Sequence, residues 1–238
     1  MSWKYRQKIK NILALETGYV LKNEAGKISV ALVYPNIYAV GMSNLGFQKI
    51  YSCLNQLDYV VCERLFLPSR QDISYLKKTK SPLISLESQK HLNKFDIVAF
   101  SITFEMDYLN VLEILKLSRI PFKRVDRTEK DPTIIAGGIC PTFNPEPIAN
   151  FIDIVVIGEG EEVMKEIMES FNENKNSLDQ KRLVKIVDGI EGIYIPSECC
   201  RGDSRTTTMT KEKNQPVLKI KKRWLKNIDL YPTSTSIF

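Results

Sequence analysis

Cysteine and histidine are scarce in this sequence of 238 residues. The five cysteines form no C-x-x-C pair, which argues against a zinc ribbon, an iron–sulfur ligand set or a disulfide framework within the chain. Cys53 and Cys62 lie among apolar residues and are predicted to fill the core, whereas the pair Cys199–Cys200 is predicted to be exposed. The single histidine, His91, stands in a polar stretch and is predicted at the surface. A Ser–His–Asp triad or a multi-histidine metal site is therefore not expected.

Long hydrophobic runs are missing as well. No apolar run approaches the roughly 18–20 residues that span a bilayer, and the basic start is not followed by the apolar stretch of a signal peptide. Glycine and proline, at 11 each, are too few for a fibrous or low-complexity protein. With 43% hydrophobic and 26% charged residues the chain can fill a core, and we expect a cytoplasmic globular protein without a membrane partner.

Positive charge is concentrated at the C-terminal end of the sequence. The chain has a formal net charge of +6, and residues 201–238 contain nine Lys and Arg against three Asp and Glu. Such a tail is typical of a contact with RNA or with an acidic partner domain, and also of a solvated chain end.

Short β-branched runs alternate with amphipathic stretches along the chain. Continuous apolar runs indicate strands that are buried on both faces of a parallel sheet. The predicted strands are residues 28–34, 59–66, 96–101, 133–136 and 152–157. The predicted helices run from Leu45 to Leu57, over about 105–118 with Leu109, Leu112 and Leu115 on one face, and beyond Gly160 to about Phe171. The expected fold is α/β, a flavodoxin-like, doubly wound, five-stranded parallel sheet in the order 2-1-3-4-5.

Composition divides the chain into three parts. Residues 1–27 are an N-terminal extension, and residues 28–175 form the sheet domain. Residues 176–238 are more polar and are predicted to form a small C-terminal α+β or β appendage, with strand-like pieces at 191–195 and 216–220. We expect this appendage to lead toward a further domain.

Unusual residues follow predicted strands 1, 3, 4 and 5, whose carboxyl ends meet at the edge where open α/β sheets bind ligands. Glycines there allow close approach to a ligand, hydroxyl and amide groups offer hydrogen bonds, and aromatic rings cover a flat ring system. The candidate cofactor-binding residues are Asn36, Tyr38, Gly41, Ser43, Ser101, Thr103, Phe104, Gly137, Gly138, Thr142, Asn144, Gly158 and Glu159. The same segments also suit helix starts, where Ser43 or Asn44 would cap a helix and Glu159 would meet its dipole. The first loop has neither G-x-G-x-x-G nor G-x-x-x-x-G-K-[ST], which argues against NAD-type and ATP-type sites.

Four segments resemble a family of radical-SAM proteins that carry an N-terminal cobalamin-binding-like domain. The segments are VALVYPNIYAVGMSNLGFQKIY, VCERLFLP, FDIVAFSITFEMDYLNVL and IIAGGICPTFNPEPIANFIDIVVIGEGEE, which extend from about residue 28 to 172. The most specific part is the pair AGG-x-x-x-T-x-NPEP and D-x-x-x-IGEGE. The resemblance implies a flavodoxin-like domain that holds cobalamin against the sheet edge. It also implies a following radical-SAM domain, in which C-x-x-x-C-x-x-C cysteines bind an iron–sulfur cluster and S-adenosylmethionine.

The chain departs from this family pattern in two respects. It contains no C-x-x-x-C-x-x-C motif, so the cluster, S-adenosylmethionine and catalysis are expected only in a radical-SAM domain that would be its partner. Cobalamin domains with a histidine cobalt ligand carry D-x-H-x-x-G after strand 1, and Tyr38 takes the histidine position here. A neutral phenol is a poor ligand, so we expect cobalamin to bind without histidine coordination. The alternatives are a cofactor-free scaffold that docks the radical-SAM barrel or RNA, and a flavin-binding module.

Overall fold

A six-stranded, mostly parallel sheet forms the centre of this computed structural model. The structure describes residues 3–174, 184–196, 207–209, 216–218, 220–232, 235, 237 and 238. The strands of the sheet are β1 (Ile28–Tyr34), β2 (Val60–Phe66), β3 (Ile97–Ser101), β4 (Thr133–Gly137), β5 (Ile154–Val156) and β6 (Ile193–Tyr194). A separate antiparallel pair consists of β7 (Thr207–Met209) and β8 (Pro216–Leu218).

The sheet order is β2-β1-β3-β4-β5-β6, in which β1 to β5 are parallel and β6 is antiparallel to β5. The predicted α/β class is therefore confirmed, and the predicted five-stranded sheet in the order 2-1-3-4-5 is corrected to six strands. The sequence pattern places residues 191–195 in the appendage. Within that piece, Ile193 and Tyr194 pair antiparallel with the edge of β5, because an edge strand offers unpaired backbone groups that they can satisfy.

Helices cover both faces of the sheet. The α-helices with defined bounds are α1 (Trp3–Ala14), α2 (Tyr38–Met42), α3 (Leu45–Gln56), α4 (Arg70–Thr79), α5 (Asp107–Leu117), α6 (Ile139–Phe143) and α7 (Gly160–Asn174). Short 3₁₀ turns lie at Leu92–Lys94, Arg124–Asp126, Glu146–Phe151, Val187–Gly189 and Ile228–Leu230. Alternate residues of β1 enter different cores, since Val30 and Leu32 pack with α3 and α7, whereas Ala31 and Val33 pack with α1, α4 and α5. The described layers are therefore helix, sheet and helix.

Helix α5 buries a face that overlaps the predicted one only in part, at Leu115. Leu109, predicted to face the core, is 67% exposed, whereas Val111 and Ile114 are fully buried. The buried positions follow the spacing of Asp107, Val111 and Ile114, which places a carboxylate in the apolar stripe. Leu115 of the predicted face is buried, so the prediction was wrong for Leu109, because it followed leucines alone and did not consider the acidic residue at the helix start.

The scarce residue types lie partly where the sequence places them. Cys62 is buried as predicted, whereas Cys53 is partly exposed because it lies at the boundary of the α3 core face. His91 is partly buried rather than a free surface residue, since it pairs with Ile84 in an isolated β-bridge. The pair Cys199–Cys200 lies outside the described residues.

A buried ion cluster ties the N-terminal segment to β2. The Arg64 side chain is fully buried, with Nη2 at 2.6 Å from Glu16 Oε2 and Nε at 2.7 Å from Glu87 Oε1. The Glu87 Oε2 atom also accepts the backbone N–H of Arg64 at 2.7 Å, and the guanidinium lies 5.0 Å from the centre of the Tyr51 ring. The segment before β1 is therefore held to the sheet through charge as well as packing.

The last residues return to the N-terminal segment. Thr17 and Phe238 exchange two backbone hydrogen bonds, of 2.7 Å and 3.1 Å, and Ile237 is buried in the core beside α3 and α7. Earlier in the same segment, Arg223 forms a parallel bridge with Gly158 just after β5. Within the described part of the chain, no helix is long and apolar enough to cross a membrane.

Candidate functional site at the carboxyl edge of the sheet

The loops that follow β1, β3, β4 and β5 meet at one edge, as the parallel topology requires. Several hydrogen bonds connect them, among them Tyr34 Oη with Thr103 Oγ1 at 2.6 Å, Ile102 N with Gly137 O at 2.8 Å, and Gly158 N with Thr142 Oγ1 at 3.1 Å. The candidate residues are thus brought together, but Thr103 and Thr142 use their hydroxyls to join the loops to one another.

The two polar side chains at the start of the β1 loop are bonded within the protein. Tyr38 Oη donates to Glu16 Oε1 at 2.5 Å, which connects it to the buried ion cluster. Burial, and next the hydrogen bond to Glu16, raise the pKa of the Tyr38 phenol above its usual range. Asn36 Nδ2 donates to Asp107 Oδ1 at 3.0 Å. The Tyr38 hydroxyl is therefore hydrogen-bonded to Glu16, and the Asn36 amide is hydrogen-bonded to Asp107 of α5.

The next two candidate residues shape the turn between α2 and α3. A Cβ on Gly41 would lie less than 3 Å from ring carbons of Phe66, so glycine allows α2 to pack on β2. Ser43 is exposed and its Oγ donates to Val40 O at 2.8 Å, which closes α2. Asn44 then caps α3 by accepting the backbone N–H of Phe47 at 2.8 Å.

At two of the candidate glycines, the space that a side chain would need is occupied by the protein's own backbone. Gly138 has φ +108°, and a Cβ there would lie less than 3 Å from the carbonyl oxygen of Ile102. Gly158 has φ +115°, and a Cβ there would come as close to the carbonyl oxygen of Arg223. In contrast, a Cβ on Gly137 would make only an ordinary contact, 3.5 Å from Val156 Cβ.

The segment around Arg223 covers the end of β5. Glu159 accepts the backbone N–H of Leu225, and its own N–H donates to Arg223 O at 3.2 Å. The Arg223 guanidinium pairs with Glu162 at 2.8 Å and Glu166 at 2.5 Å on α7. Glu159 therefore anchors the C-terminal segment, which no local sequence pattern indicates.

Large apolar side chains remain exposed along the same edge. Phe104, after β3, is 58% exposed, and Phe143, in α6, is 80% exposed. We define the apolar rim as the exposed side chains that follow β1, β3 and β4, namely Ile37, Phe104, Met106, Ile139 and Phe143. Exposed apolar side chains that form a patch are typical of places where a ligand or another domain binds.

Two further candidate residues lie at this edge and are at least partly exposed to solvent. Ser101 ends β3, opposite Gly137, and is partly exposed. Asn144 is exposed, and its Oδ1 accepts the backbone N–H of Glu146 at 3.2 Å. The Asn144 amide nitrogen has no hydrogen bond to the part of the chain that the structure describes.

Asp107 is a polar residue of this edge that the sequence reasoning missed. Its side chain is buried, and Oδ1 accepts hydrogen bonds of 3.0 Å from both Asn36 and Asn110. Oδ2 is buried and has no hydrogen-bond partner among the described residues. Burial raises the pKa of this carboxyl. Its place in the Val111–Ile114 stripe is the signal that could have found it.

Replacing Asp107 with asparagine should leave the protein as stable or make it more stable near neutral pH. A carboxyl with a raised pKa in the folded state loses stability as pH rises from about 4, the unfolded value, through the folded pKa. The variant lacks that loss, so its stability should vary less with pH between about 4 and 7. Urea unfolding at several pH values measures this difference, and an equal pH dependence in both proteins would contradict it.

Fold and site together define a doubly wound α/β domain whose loops and apolar rim meet at the carboxyl edge of the sheet. The chain belongs to the family described as radical SAM proteins, N-terminal, whose profile matches residues 46–196. The predicted radical-SAM relationship is therefore confirmed, and cobalamin binding stays a prediction.

Two other similarities place the chain beside longer proteins. It is 26% identical over 142 residues to the uncharacterized protein MJ0966 of Methanocaldococcus jannaschii, covering 59% of this chain and 26% of that protein. It is 18% identical, at a TM-score of 0.43, to the radical S-adenosylmethionine methyltransferase TsrM from Kitasatospora setae, solved with tryptophan and a SAM analog bound. That match covers 70% of this chain and 28% of the solved one. The chain thus spans about a quarter of the length of each.

Proposed function

We propose that this chain is the N-terminal module of a radical-SAM protein and holds cobalamin against its apolar rim. The observation that carries the proposal is the exposure of Phe104 and Phe143 at the edge where this fold class binds ligands. Covering one such side chain contributes about 1.5–3 kcal/mol, so two rings on one ligand can support measurable affinity. Iron–sulfur and S-adenosylmethionine chemistry belongs, in this proposal, to the radical-SAM domain that the module serves.

The donors at this edge fit a corrinoid in part. The buried, unpartnered Oδ2 of Asp107 and the exposed amide of Asn144 suit the amide side chains of a corrin ring. The only histidine of the chain, His91, precedes β3 and so lies at the opposite end of the sheet. Within the described residues, no group of three or more His, Cys, Asp or Glu side chains could hold a metal ion. Cobalamin would supply a corrin-held cobalt for methyl transfer or a related radical reaction, without a histidine ligand from this chain.

We expect hydroxocobalamin to bind this chain at one saturable site, with a change in its visible spectrum. Phe143→Asp should weaken that binding about tenfold or more, because it removes apolar contact and adds a charge that must be desolvated. Phe143 is 80% exposed, so the substitution should leave the fold intact. The matched control is Val125→Asp, because Val125 is 87% exposed and lies in a turn that precedes β4, at the other end of the sheet. Equal effects of the two substitutions, or no binding by the parent chain, would contradict the cobalamin proposal.

A second candidate function is a docking face for the radical-SAM domain that needs no cofactor. It is favoured by the internal use of the predicted polar ligands, since Tyr38 binds Glu16 and Thr103 binds Tyr34. In this alternative the apolar rim contacts the following domain directly. A longer polypeptide that contains that domain should then protect Phe104 and Phe143 from solvent, as measured by hydrogen exchange of their loops, with no corrinoid present. Contact with RNA through the basic tail belongs to this second candidate, and salt-sensitive RNA binding without a chromophore tests it.

A further inference from the structure

A basic cleft lies at the amino edge of the sheet, opposite the apolar rim. It is formed where α4 and α5 end and where the 3₁₀ turn Leu92–Lys94 leads into β3. Its volume is about 330 Å³. The lining residues are Thr79, Lys80, Ser81, Pro82, His91, Asn93, Lys94 and Arg119.

The charge of this cleft is positive. Three lining side chains, Lys80, Lys94 and Arg119, are cationic, and none of the eight lining residues is acidic. Each of the two helix ends contributes only about half a negative charge, so their dipoles do not cancel three cations. The cleft therefore attracts an anion.

Backbone geometry fixes two of these cations beside each other. Lys80 has φ +52° and Arg119 has φ +57°, a left-handed conformation that glycine adopts most easily after a helix. Arg119 Nη2 also donates to Lys80 O at 2.5 Å, which joins the ends of α4 and α5. A long basic side chain at each left-handed position is unusual for a helix ending and places positive charge at the mouth of the cleft.

His91 adds an imidazole that has a hydrogen bond with the Leu83 backbone and one ring nitrogen left unpaired within the described part of the chain. Its Nδ1 is buried and has no hydrogen bond to the described residues. Burial lowers the pKa of His91, and the positive charges of Arg6, Arg119 and Lys94 lower it further. An anion in the cleft would accept a hydrogen bond from the imidazolium, which stabilises the charged form and raises the pKa of His91 again.

We propose that this cleft binds the phosphate group of a small phosphorylated ligand of nucleotide size. A phosphate dianion accepts several charge-assisted hydrogen bonds, and the cleft offers an ammonium, a guanidinium, an imidazole and the Asn93 amide within one small volume. None of the lining residues is Phe, Tyr or Trp, so recognition rests mainly on the phosphate. This site is independent of the cobalamin proposal, because it lies at the other end of the sheet.

The test follows the Hε1 resonance of His91 by NMR, which is unambiguous because the chain has one histidine. The pH titration is recorded in chloride and again with inorganic phosphate or AMP at matched ionic strength. We expect either phosphate compound to raise the pKa of His91 by about one pH unit, since a nearby anion stabilises the imidazolium. An unchanged titration curve would overturn the proposal.

Variants separate the cleft from general charge effects. Lys94→Gln and Arg119→Gln together should weaken phosphate binding about tenfold or more. Lys80→Gly removes a charge but suits the left-handed backbone, so it should keep the fold and still weaken the response. The control Lys226→Gln removes an exposed charge near the carboxyl edge and should change nothing. Equal responses in all variants, or a shift with short single-stranded RNA but none with phosphate or AMP, would overturn the small-ligand site.

Discussion

Replacing Arg64 with methionine is expected to lower the free energy of unfolding by about 3–5 kcal/mol, because it leaves buried carboxylates without their counter-charge. Glu16 and Glu87 both pair with Arg64, and all three side chains are buried. Methionine fills much of the same volume, so the loss reflects charge more than a cavity. The effect should be large because Glu16 and Glu87 belong to different segments and both lose their counter-charge, with Glu87 keeping only its hydrogen bond from the backbone N–H of residue 64.

The loss of stability caused by Arg64→Met should depend on pH. Burial raises the pKa of Glu87 even with Arg64 present, and the removal of Arg64 raises it further. A carboxyl with a raised pKa costs stability as pH rises from about 4.3, the unfolded value, to the folded value. The difference between parent and Arg64→Met should therefore be smallest below about pH 4 and largest near neutral pH.

Urea unfolding from acid to neutral pH measures the stability loss of Arg64→Met. Adding Glu87→Gln to the variant should recover part of the stability, because one unpaired charge becomes a neutral amide. Arg70→Met is the matched control, since Arg70 is exposed at the start of α4 and its replacement should stay within about 0.5 kcal/mol of the parent. A loss below about 1 kcal/mol for Arg64→Met, independent of pH, would show that the cluster is not stabilised by charge.

Gly138→Ala should destabilise the protein by about 2–4 kcal/mol, through backbone strain and overlap at one position. Its φ of +108° disfavours a side chain, and the added Cβ would press on Ile102, whose carbonyl also accepts the backbone N–H of Cys140. The end of β3 and the start of α6 would have to separate. Because that separation occurs at the apolar rim, the variant should also weaken the binding of any ligand to the rim.

Alanine substitutions at two other glycines separate the cost of backbone strain from the cost of steric overlap. Gly26→Ala has φ +76° and nothing within 4 Å of the added Cβ, so it should show the strain alone, about 1 kcal/mol. Gly189→Ala has neither a positive φ nor a neighbour within 4 Å, and should be neutral or slightly stabilising. Thermal or urea unfolding of the three variants measures these differences. A Gly138→Ala cost no greater than that of Gly26→Ala would contradict the close contact with Ile102.

The parallel strands were predictable because they are continuous apolar runs. Residues 28–34 form β1 with the predicted bounds, and all seven are buried. The sixth strand was not predictable as part of the sheet, since two residues carry no periodicity and their pairing depends on where α7 returns the chain. Local pattern determines that a segment is extended, whereas the partner of an edge strand depends on the assembled fold.

The candidate site was predictable as a place and less so as a set of side chains. The loops after β1, β3, β4 and β5 do meet, because parallel topology requires it. Whether a side chain faces the open edge depends on contacts from distant segments, such as Glu16 for Tyr38 and Arg223 for Gly158. No motif near Tyr38 or Gly158 indicates those partners, which lie 22 and 65 residues away in the sequence.

The strand order also bears on how the chain assembles while it is being made. β2 can pair with β1 as soon as it leaves the ribosome, and each later strand of the sheet docks on one already present, from β3 on β1 to β6 on β5. No position in the sheet has to be held open for a later strand, which limits the time that bare strand edges are exposed to other chains. The contact between Thr17 and Phe238 is different, because its partners are 221 residues apart and it can close only after translation has passed residue 238.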